Sequence, residues 1–484
     1  MITTDAPPAQ RMTAREAWIL ITVACAQLLV ILDTTIVNIA VPIAATELEL
    51  AADARHWIIT AYALAFGSML LIGGRIADYW GRKRTFVLGI GLFGLASVWG
   101  GAAHAGLELL TARALQGASA ALLAPAALSI VTVTFAHGRS RTIAFGLLGG
   151  IMSGGAAVGI ILGGVLTEFA GWRWCLFVNV PFALVALLAG VFVLKESRAE
   201  GKARYDVFGA LTVALGLAAL VFGLTRAEVG LIEGGALPII LAGIVLLVGF
   251  VLIERKASYP LLPLRVILHR ARGGAMIVQL CSGAAMIGVT LYVTMHLQQV
   301  LGMSPLLSGV ASLPLALAVA AAMPLLINLM PKVGLKPVLV CGAAIATVGI
   351  VLLSRVSAGG NYWAEVLPGL VVMGAGMAGI FAPVQNLALQ GVDPSDAGAA
   401  SAVSNAANQV GGAVGLAFLT NVYVAVAGSR GDVDSIVSGY STVFLAAAVP
   451  MIIATLVAAF LIKAPREATG AAGVTGARPM PAMH

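Results

Sequence analysis

Residues 18–42 read WILITVACAQLLVILDTTIVNIAVP, twenty-five positions with one charged side chain, Asp33. A run this long and apolar on every side has no polar face to turn toward water. As a helix it is long enough to cross about 30 Å of hydrocarbon. It has no convincing small-x-small cleavage site, so it reads as a retained spanning helix rather than a removed leader. The rest of the chain repeats the pattern: 60 % of its 484 residues are apolar, 10 % are charged, and the mean hydropathy is +1.00. Soluble chains carry about 25 % charged residues, and this one is too poor in charge to cover a wetted surface. Its apolar runs are continuous rather than alternating, which excludes an outer-membrane barrel. The expected class is an all-α polytopic membrane protein.

Fourteen spans can be drawn, at 17–40, 57–75, 85–104, 107–133, 142–167, 174–194, 207–226, 235–253, 273–300, 305–329, 335–354, 363–389, 397–427 and 439–462. Residues 1–16 and 463–484 are rich in Ala, Pro, Gly and polar types and read as disordered cytoplasmic tails. With the N-terminus inside, 22 of the 28 Lys and Arg fall on cytoplasmic segments, five fall outside, and Arg113 lies within a span. The positive-inside rule therefore places both termini in the cytoplasm. A 253-residue shift sets Gly334 on Gly81 and Lys336 on Lys83, although Asp78 then meets Pro331. This faint repeat suggests two six-helix bundles, 17–194 and 273–462, with two inserted helices and their linkers at 195–272.

Several function classes fall away. The basic residues sit in short loops between apolar runs, a pattern of membrane orientation rather than of nucleic-acid binding. Cys25, Cys175, Cys281 and Cys341 form no CxxC pair, and the six histidines show no metal-ligand spacing, so neither a disulfide framework nor a metal is expected. There is no GxxxxGK[ST] phosphate loop. No intramembrane nucleophile–base set is visible either, so an enzyme is not expected and the energy source would be an ion gradient rather than a cofactor.

Asp33 carries most information. It alone among the 21 carboxylates lies deep inside a span, where a charge costs at least about 2.5–3.5 kcal/mol. Burial favours the neutral acid and a nearby cation favours the carboxylate. A group balanced between the two binds either a proton or a cationic substrate; the plainer alternative is a structural carboxylate. Arg113 is its expected counterpart, about 9 Å below the outer end of its helix against about 13 Å for Asp33. Arginine does not readily release its proton, so it would tune the site; a permanent structural pair is the other reading. On the fifth span Gly150 and Gly154, then Gly155, Gly159 and Gly163, form small-xxx-small rows that permit close helix packing.

The stretch Gly74-Arg-Ile-Ala-Asp78-Tyr-Trp-Gly81-Arg82-Lys83-Arg84 follows the second span. Asp78 can face the positive end of a helix or pair with Arg82, latching the cytoplasmic side. A merely basic loop explains Arg82 to Arg84 but not Asp78. Tyr62, Gln116, Tyr292, Asn386 and Asn405 also lie in spans, as candidates either to line a central substrate cavity or to bond between helices.

Taken together these stretches resemble the fourteen-helix drug:proton antiporter branch of the major facilitator superfamily, over roughly residues 15–463. Gly74 to Arg84 is similar to that family's loop between helices 2 and 3. Leu109-x-x-x-Arg113-x-x-Gln116-Gly117 resembles its helix 4 motif for proton coupling. Leu32-Asp33-x-Thr35-Ile-Val-Asn38-x-Ala40-x-Pro42 resembles the helix 1 motif of the fourteen-helix branch, and Gly171-Trp-Arg-Trp-x-x-Phe-x-Asn179-x-Pro181 its junction of helices 5 and 6. Two departures stand out. The antiporter motif on helix 5 has Ile160 in place of proline, in Gly155-x-x-x-Gly159-Ile160-x-x-Gly163-Gly164. On helix 13 the chain has Asn408-Gln409-x-Gly411-Gly412 where relatives often begin with arginine.

The resemblance implies proton-coupled efflux of drugs or toxic compounds across a bacterial inner membrane by alternating access, by a monomer among membrane lipids. Asp33 and Arg113 would couple to protons, Gly74, Asp78, Gly81 and Arg82 would form the latch, and Gly155, Gly159, Gly163 and Gly164 the packing hinge. Residues 305–329 lack the acid that some relatives use for divalent cations, which favours monovalent cationic or neutral lipophilic substrates. Export of an endogenous metabolite, antibiotic or lipid is the alternative, and uptake by proton symport a further one, opened by Ile160.

Overall fold

A computed structural model describes residues 13–51, 54–135, 138–198, 206–227, 235–257, 268–389, 397–428 and 432–462. Residues 1–12 and 463–484 of the sequence-expected tails, and parts of the two linkers, lie outside these residues, while residues 13–16 of the first expected tail belong to the cap and first turn of the first helix. Within the described residues the first six helical segments are α1 (Ala14–Glu47), α2 (Trp57–Trp80), α3 (Arg82–Gly101), α4 (Gly106–Thr134), α5 (Gly138–Phe169) and α6 (Trp174–Val193). There follow α7 (Val207–Arg226), α8 (Ala236–Lys256), α9 (Arg270–Val300), α10 (Pro305–Val333), α11 (Leu335–Leu353), α12 (Tyr362–Ala388), α13 (Ala397–Ala427) and α14 (Val433–Leu461). The described residues contain no strand. Eleven of these helices are long and apolar enough to cross a membrane. A twelfth qualifies if α2, bent by 50° between Leu70 and Ile72, is one span. The described parts of α5 and α7 supply shorter apolar stretches, Gly154–Phe169 and Phe208–Leu224. Among the described residues, length and apolarity by themselves thus mark eleven or twelve of the expected fourteen crossings.

Helix ends follow local chemistry. Thr13 begins α1 with a reciprocal cap: its hydroxyl accepts from the Glu16 N–H at 3.2 Å, and Glu16 accepts from the Thr13 N–H at 2.8 Å. The helix runs through Pro42 and stops beyond Glu47, several residues later than the sequence reading ended it. Proline removes one helical hydrogen bond without forcing a stop, and Glu49, at φ 52°, completes the break. Gly81 (φ 128°) joins α2 to α3 and Gly334 (φ 90°) joins α10 to α11. The 253-residue shift therefore superposes two turns of one kind, at a backbone conformation that side chains disfavour.

Packing sorts the helices into two groups. In one, α1 lies against α4, α5 and α6, and α4 against α2 and α3; in the other, α9 lies against α12, α13 and α14, and α12 against α10 and α11. The groups meet along two seams, α2 with α13 and α5 with α10, while the paired helices α7 and α8 attach through α7 to α2 and α13. Large apolar side chains such as Phe192, Phe208 and Phe460 point outward, each more than three-quarters exposed. Water would penalise that surface, whereas lipid tails match it. The two ends of the molecule are named below for Glu47, near the end of α1, and Arg82, at the start of α3.

Candidate functional site

The side chain of Asp33 is wholly buried in the first helix group. Its Oδ2 accepts from Arg113 Nη1 at 2.6 Å, and its Oδ1 accepts from Asn179 Nδ2 at 2.7 Å and Gln116 Nε2 at 3.0 Å. Arg113 also donates from Nε to the Ile58 carbonyl at 2.9 Å and from Nη1 to Gln116 Oε1 at 2.8 Å. Its guanidinium lies 4.6 Å from the centroid of the Tyr62 ring, a cation–π distance. Gln116 completes the set by donating to Ser97 Oγ at 2.8 Å. Five helices, α1, α2, α3, α4 and α6, thus meet in one network, with α4 and α6 donating to the carboxylate and α2 and α3 holding its α4 donors. Among the described residues this is the one ion pair with both side chains buried.

The local sequence explains the convergence. Arg113 and Gln116 are three apart and share a helical face. At Gly117 the backbone of α4 lies so close to the backbone of Tyr62 that no Cβ would fit. That approach brings Arg113 within reach of the Ile58 carbonyl, one turn before Tyr62. The sequence-expected depths need correction on one side. Asp33 lies fourteen residues below Glu47, about 21 Å along α1 rather than about 13 Å. The pair still forms because α1 ends higher than expected, where Glu47 holds Trp172 Nε1 at 2.7 Å and pairs with Arg173.

The remaining candidates fall in different places. Tyr62 is buried, and its hydroxyl has no hydrogen-bond partner among the described residues. Gln116 spends both ends of its amide inside the network rather than facing a cavity. Tyr292 belongs to the second helix group, where it donates to Thr420 Oγ1 at 3.2 Å and packs on Tyr423 and Tyr440. Asn386 is exposed and bonds the Ala382 carbonyl one turn back, and Asn405 is half-buried on α13. A cavity of about 370 Å³ opens on the Glu47 face between α1 and α9, lined by Pro42, Ile43, Thr46, Glu47, Gln298 and Gln299. None of the five candidates lines it.

The glycines of α5 pack as a row on α1. Gly155 meets Leu28 and Ile31, Gly159 meets Thr35, and Gly163 meets the backbone of Ile36, positions that bracket Asp33. Gly164 faces Pro305 and Leu306 across the α5–α10 seam. Gly154 departs from the expected row, with nothing within 4 Å of a Cβ there; the side of α5 at Gly150 lies outside the described surface. With Ile160 in place of proline, α5 is one helix from Gly138 to Phe169.

On the Arg82 face the residues expected to form a latch come together with one change of partner. Asp78 pairs with Arg82 at 3.5 Å, but the N-terminus of α3 is capped by Glu196. Its carboxylate accepts from the backbone N–H groups of Lys83 and Arg84 at 3.2 and 3.3 Å. Arg82 N–H donates to the Ser197 carbonyl at 3.0 Å. Gly81 turns α3 toward the segment leaving α6, while Asp78 stays on α2. Its neighbour Gly74 is half-buried beside Pro125 of α4. Sequence reasoning missed Glu196, Ser97 and the role of Asn179. Asn179 offered a signal, a lone amide inside an apolar run; Glu196, just past one, offered none.

The Major Facilitator Superfamily pattern matches residues 23–416 and 316–483 of the chain. The chain is 43 % identical over 482 residues to the puromycin resistance protein pur8 of Streptomyces alboniger, covering 96 % of this chain and 95 % of that one. It is 35 % identical to the cephamycin export protein CmcT of Amycolatopsis lactamdurans, over 91 % of each. It is also 35 % identical to the lincomycin resistance protein of Streptomyces lincolnensis, over 88 % and 89 %. Among solved structures, a variant of the nucleoside transporter NupG superposes with a TM-score of 0.64 at 12 % identity, over 93 % of this chain and all of that one. On this evidence the chain is a multi-pass membrane transporter of the major facilitator superfamily.

Proposed function

We propose that this protein exports small lipophilic compounds, antibiotics among them, across the bacterial cytoplasmic membrane in exchange for protons, by alternating access. The observation that carries this reading is the convergence of three N–H donors on the buried Asp33 carboxylate. A carboxylate accepts from all three, whereas the neutral acid carries a donor of its own where donors already point. Protonation therefore breaks the arrangement. Arg113 has somewhere to remain, since it keeps the Ile58 carbonyl, Gln116 Oε1 and the Tyr62 ring. The helix that lets go is α1. Because α1 packs on the α5 glycine row, and Gly164 of α5 meets α10, its release reaches the seam between the two bundles.

In this proposal the fourteen helices all cross the membrane, grouped as 17–194 and 273–462 with 195–272 inserted, and both termini lie in the cytoplasm. The Glu47 face is then extracellular. One charge crossing 100 mV supplies about 2.3 kcal/mol, roughly a fiftyfold gradient. The relatives named for puromycin and lincomycin resistance favour antibiotics as cargo, and the lack of an acid in residues 305–329 favours monovalent cationic or neutral ones.

Everted vesicles from an efflux-deficient bacterial host test this directly. Puromycin, lincomycin and ethidium are presented with and without a proton gradient, for the native protein and Asp33→Asn. Gradient-driven accumulation lost in Asp33→Asn supports the proposal. Accumulation that ignores the gradient, or native rates in Asp33→Asn, overturns it. The name of the cephamycin relative favours a second reading, export of the host cell's own antibiotic. In that case the vesicles accumulate an extract of the producing cells in preference to the added drugs.

A further inference from the structure

The helix α9 changes its hydrogen-bonding pattern at one place. It is α-helical to Met295 and continues as a π-turn over His296–Val300. Such turns are rare and gather at working sites. The turn opens on His296, which is 1 % exposed, with neither ring nitrogen hydrogen-bonded among the described residues. A neutral imidazole carries one N–H donor and one acceptor, so two buried polar atoms are left unsatisfied, an arrangement folded proteins ordinarily avoid. Its surroundings are mostly neutral. Tyr292 lies one turn back on α9, and Tyr440 of α14 presents its ring edge-on at 6.1 Å. Tyr423 of α13 stacks on Tyr440, and Arg55 acts electrostatically on both of these tyrosines. Glu365, at the start of α12, is the charged group acting on His296 itself. On α10 the Ser308 hydroxyl faces the turn, accepting from Gln298.

The same turn ties the two bundles together. Gln298 donates to the Ile39 carbonyl of α1 at 3.2 Å and to Ser308 Oγ of α10 at 2.9 Å, and Gln299 Oε1 accepts from the Tyr440 hydroxyl at 2.8 Å. Both glutamines line the cavity of about 370 Å³ that opens on the Glu47 face. Water from that face therefore comes within two or three residues of the buried imidazole.

We propose that His296 is a second proton-binding residue, charged from the Glu47 face, whose imidazolium breaks the Gln298 tie and favours the conformation open to that face. An imidazolium has two donors and no acceptor beside it, and it cannot stay buried without a partner. The nearest relief is the water beyond Gln298 and Gln299, and reaching it unwinds the π-turn. External acid would then open the side from which the transporter takes its proton. The inference rests on the antiport reading only for which face is external and for the use made of the proton.

The test uses the full-length protein in liposomes, with Cys25, Cys175, Cys281 and Cys341 replaced by alanine. Spin labels are placed at Ala51→Cys and Ala358→Cys, both exposed on the Glu47 face. Distances are measured without substrate from about pH 8 to about pH 3.5, a range that reaches well below the unperturbed histidine value of about 6.5. The expected result is a longer-distance component that grows on acidification in the native background and is lost in His296→Gln, while Asp33→Asn, whatever its starting distribution, still responds to acid. The same growth in His296→Gln, or no response to acid in Asp33→Asn, overturns the proposal. Should His296→Gln not fold, Gln298→Ala decides: cutting the tie directly should give the longer distance already at neutral pH, and a short distance there overturns the link. Failure of the antiport reading appears separately, as native transport by Asp33→Asn.

Discussion

The guanidinium of Arg113 holds Asp33 Oδ2 at 2.6 Å with one nitrogen and the Ile58 carbonyl at 2.9 Å with another, so a single side chain of α4 joins α1 to α2. The carboxylate is in turn shared with Gln116 and with Asn179 of α6. Removing any member leaves the others buried without a full set of partners.

Asp33→Asn keeps the size of the side chain and removes its capacity to exchange a proton at physiological pH. We expect at least a tenfold loss of proton-driven efflux, about 1.4 kcal/mol or more in rate terms. Membrane levels should be close to native, by immunoblot of the vesicles used for transport.

Arg113→Leu leaves the carboxylate without its cation, and breaking a buried pair in this way costs about 3–5 kcal/mol. Adding Asp33→Asn removes the orphaned charge. The double variant should therefore melt at a higher temperature in detergent than Arg113→Leu alone, while neither transports. Equal melting temperatures would mean that the two residues are not coupled in the folded protein.

Asn179→Leu deletes a donor that sequence reasoning had not assigned. One lost hydrogen bond to a buried charged group costs about 1–3 kcal/mol. A lowered melting temperature together with slowed efflux is expected; a native pair of values would remove Asn179 from the working network.

The glycine row makes a paired prediction. A Cβ on Gly163 would lie 2.9 Å from the Ile36 backbone, whereas one on Gly154 meets nothing within 4 Å. Gly163→Ala should cost about 1–3 kcal/mol through overpacking and slow transport. Gly154→Ala should be neutral or stabilising by up to about 1 kcal/mol, the helix preference of alanine over glycine. Thermal unfolding of the two variants side by side checks the contrast.

On the opposite face, Glu196→Ala removes the cap from α3, worth about 1 kcal/mol. Efflux should fall while substrate affinity holds, read as a lowered maximal rate at unchanged half-saturation, if the contact governs switching rather than binding.

How far the site could be read in advance varied with the residue. Asp33 and Arg113 stood out because a charge inside an apolar run is costly wherever the run packs. Gln116 was visible as a polar residue, but whether its amide faced a cavity or a carboxylate depended on the approach of α4 to α2 at Gly117. Glu196 sits in a linker where charge is ordinary, and only the turn at Gly81 gives it a role. The expected depth of Asp33 was too small because α1 continues through Pro42, and a proline alone does not set where a helix stops.

Spanning helices, their order and the rarity of charge within them are properties of local stretches, because in hydrocarbon each helix must satisfy its own backbone and only apolar side chains are tolerated around it. Composition and run length therefore determined them without reference to the rest of the molecule. The partners of Asp33 are 80, 83 and 146 residues away in the chain. Which of the many polar side chains in the spans meet there was decided by how closely glycines let particular helices approach, a matter of packing between distant segments that no single stretch contains.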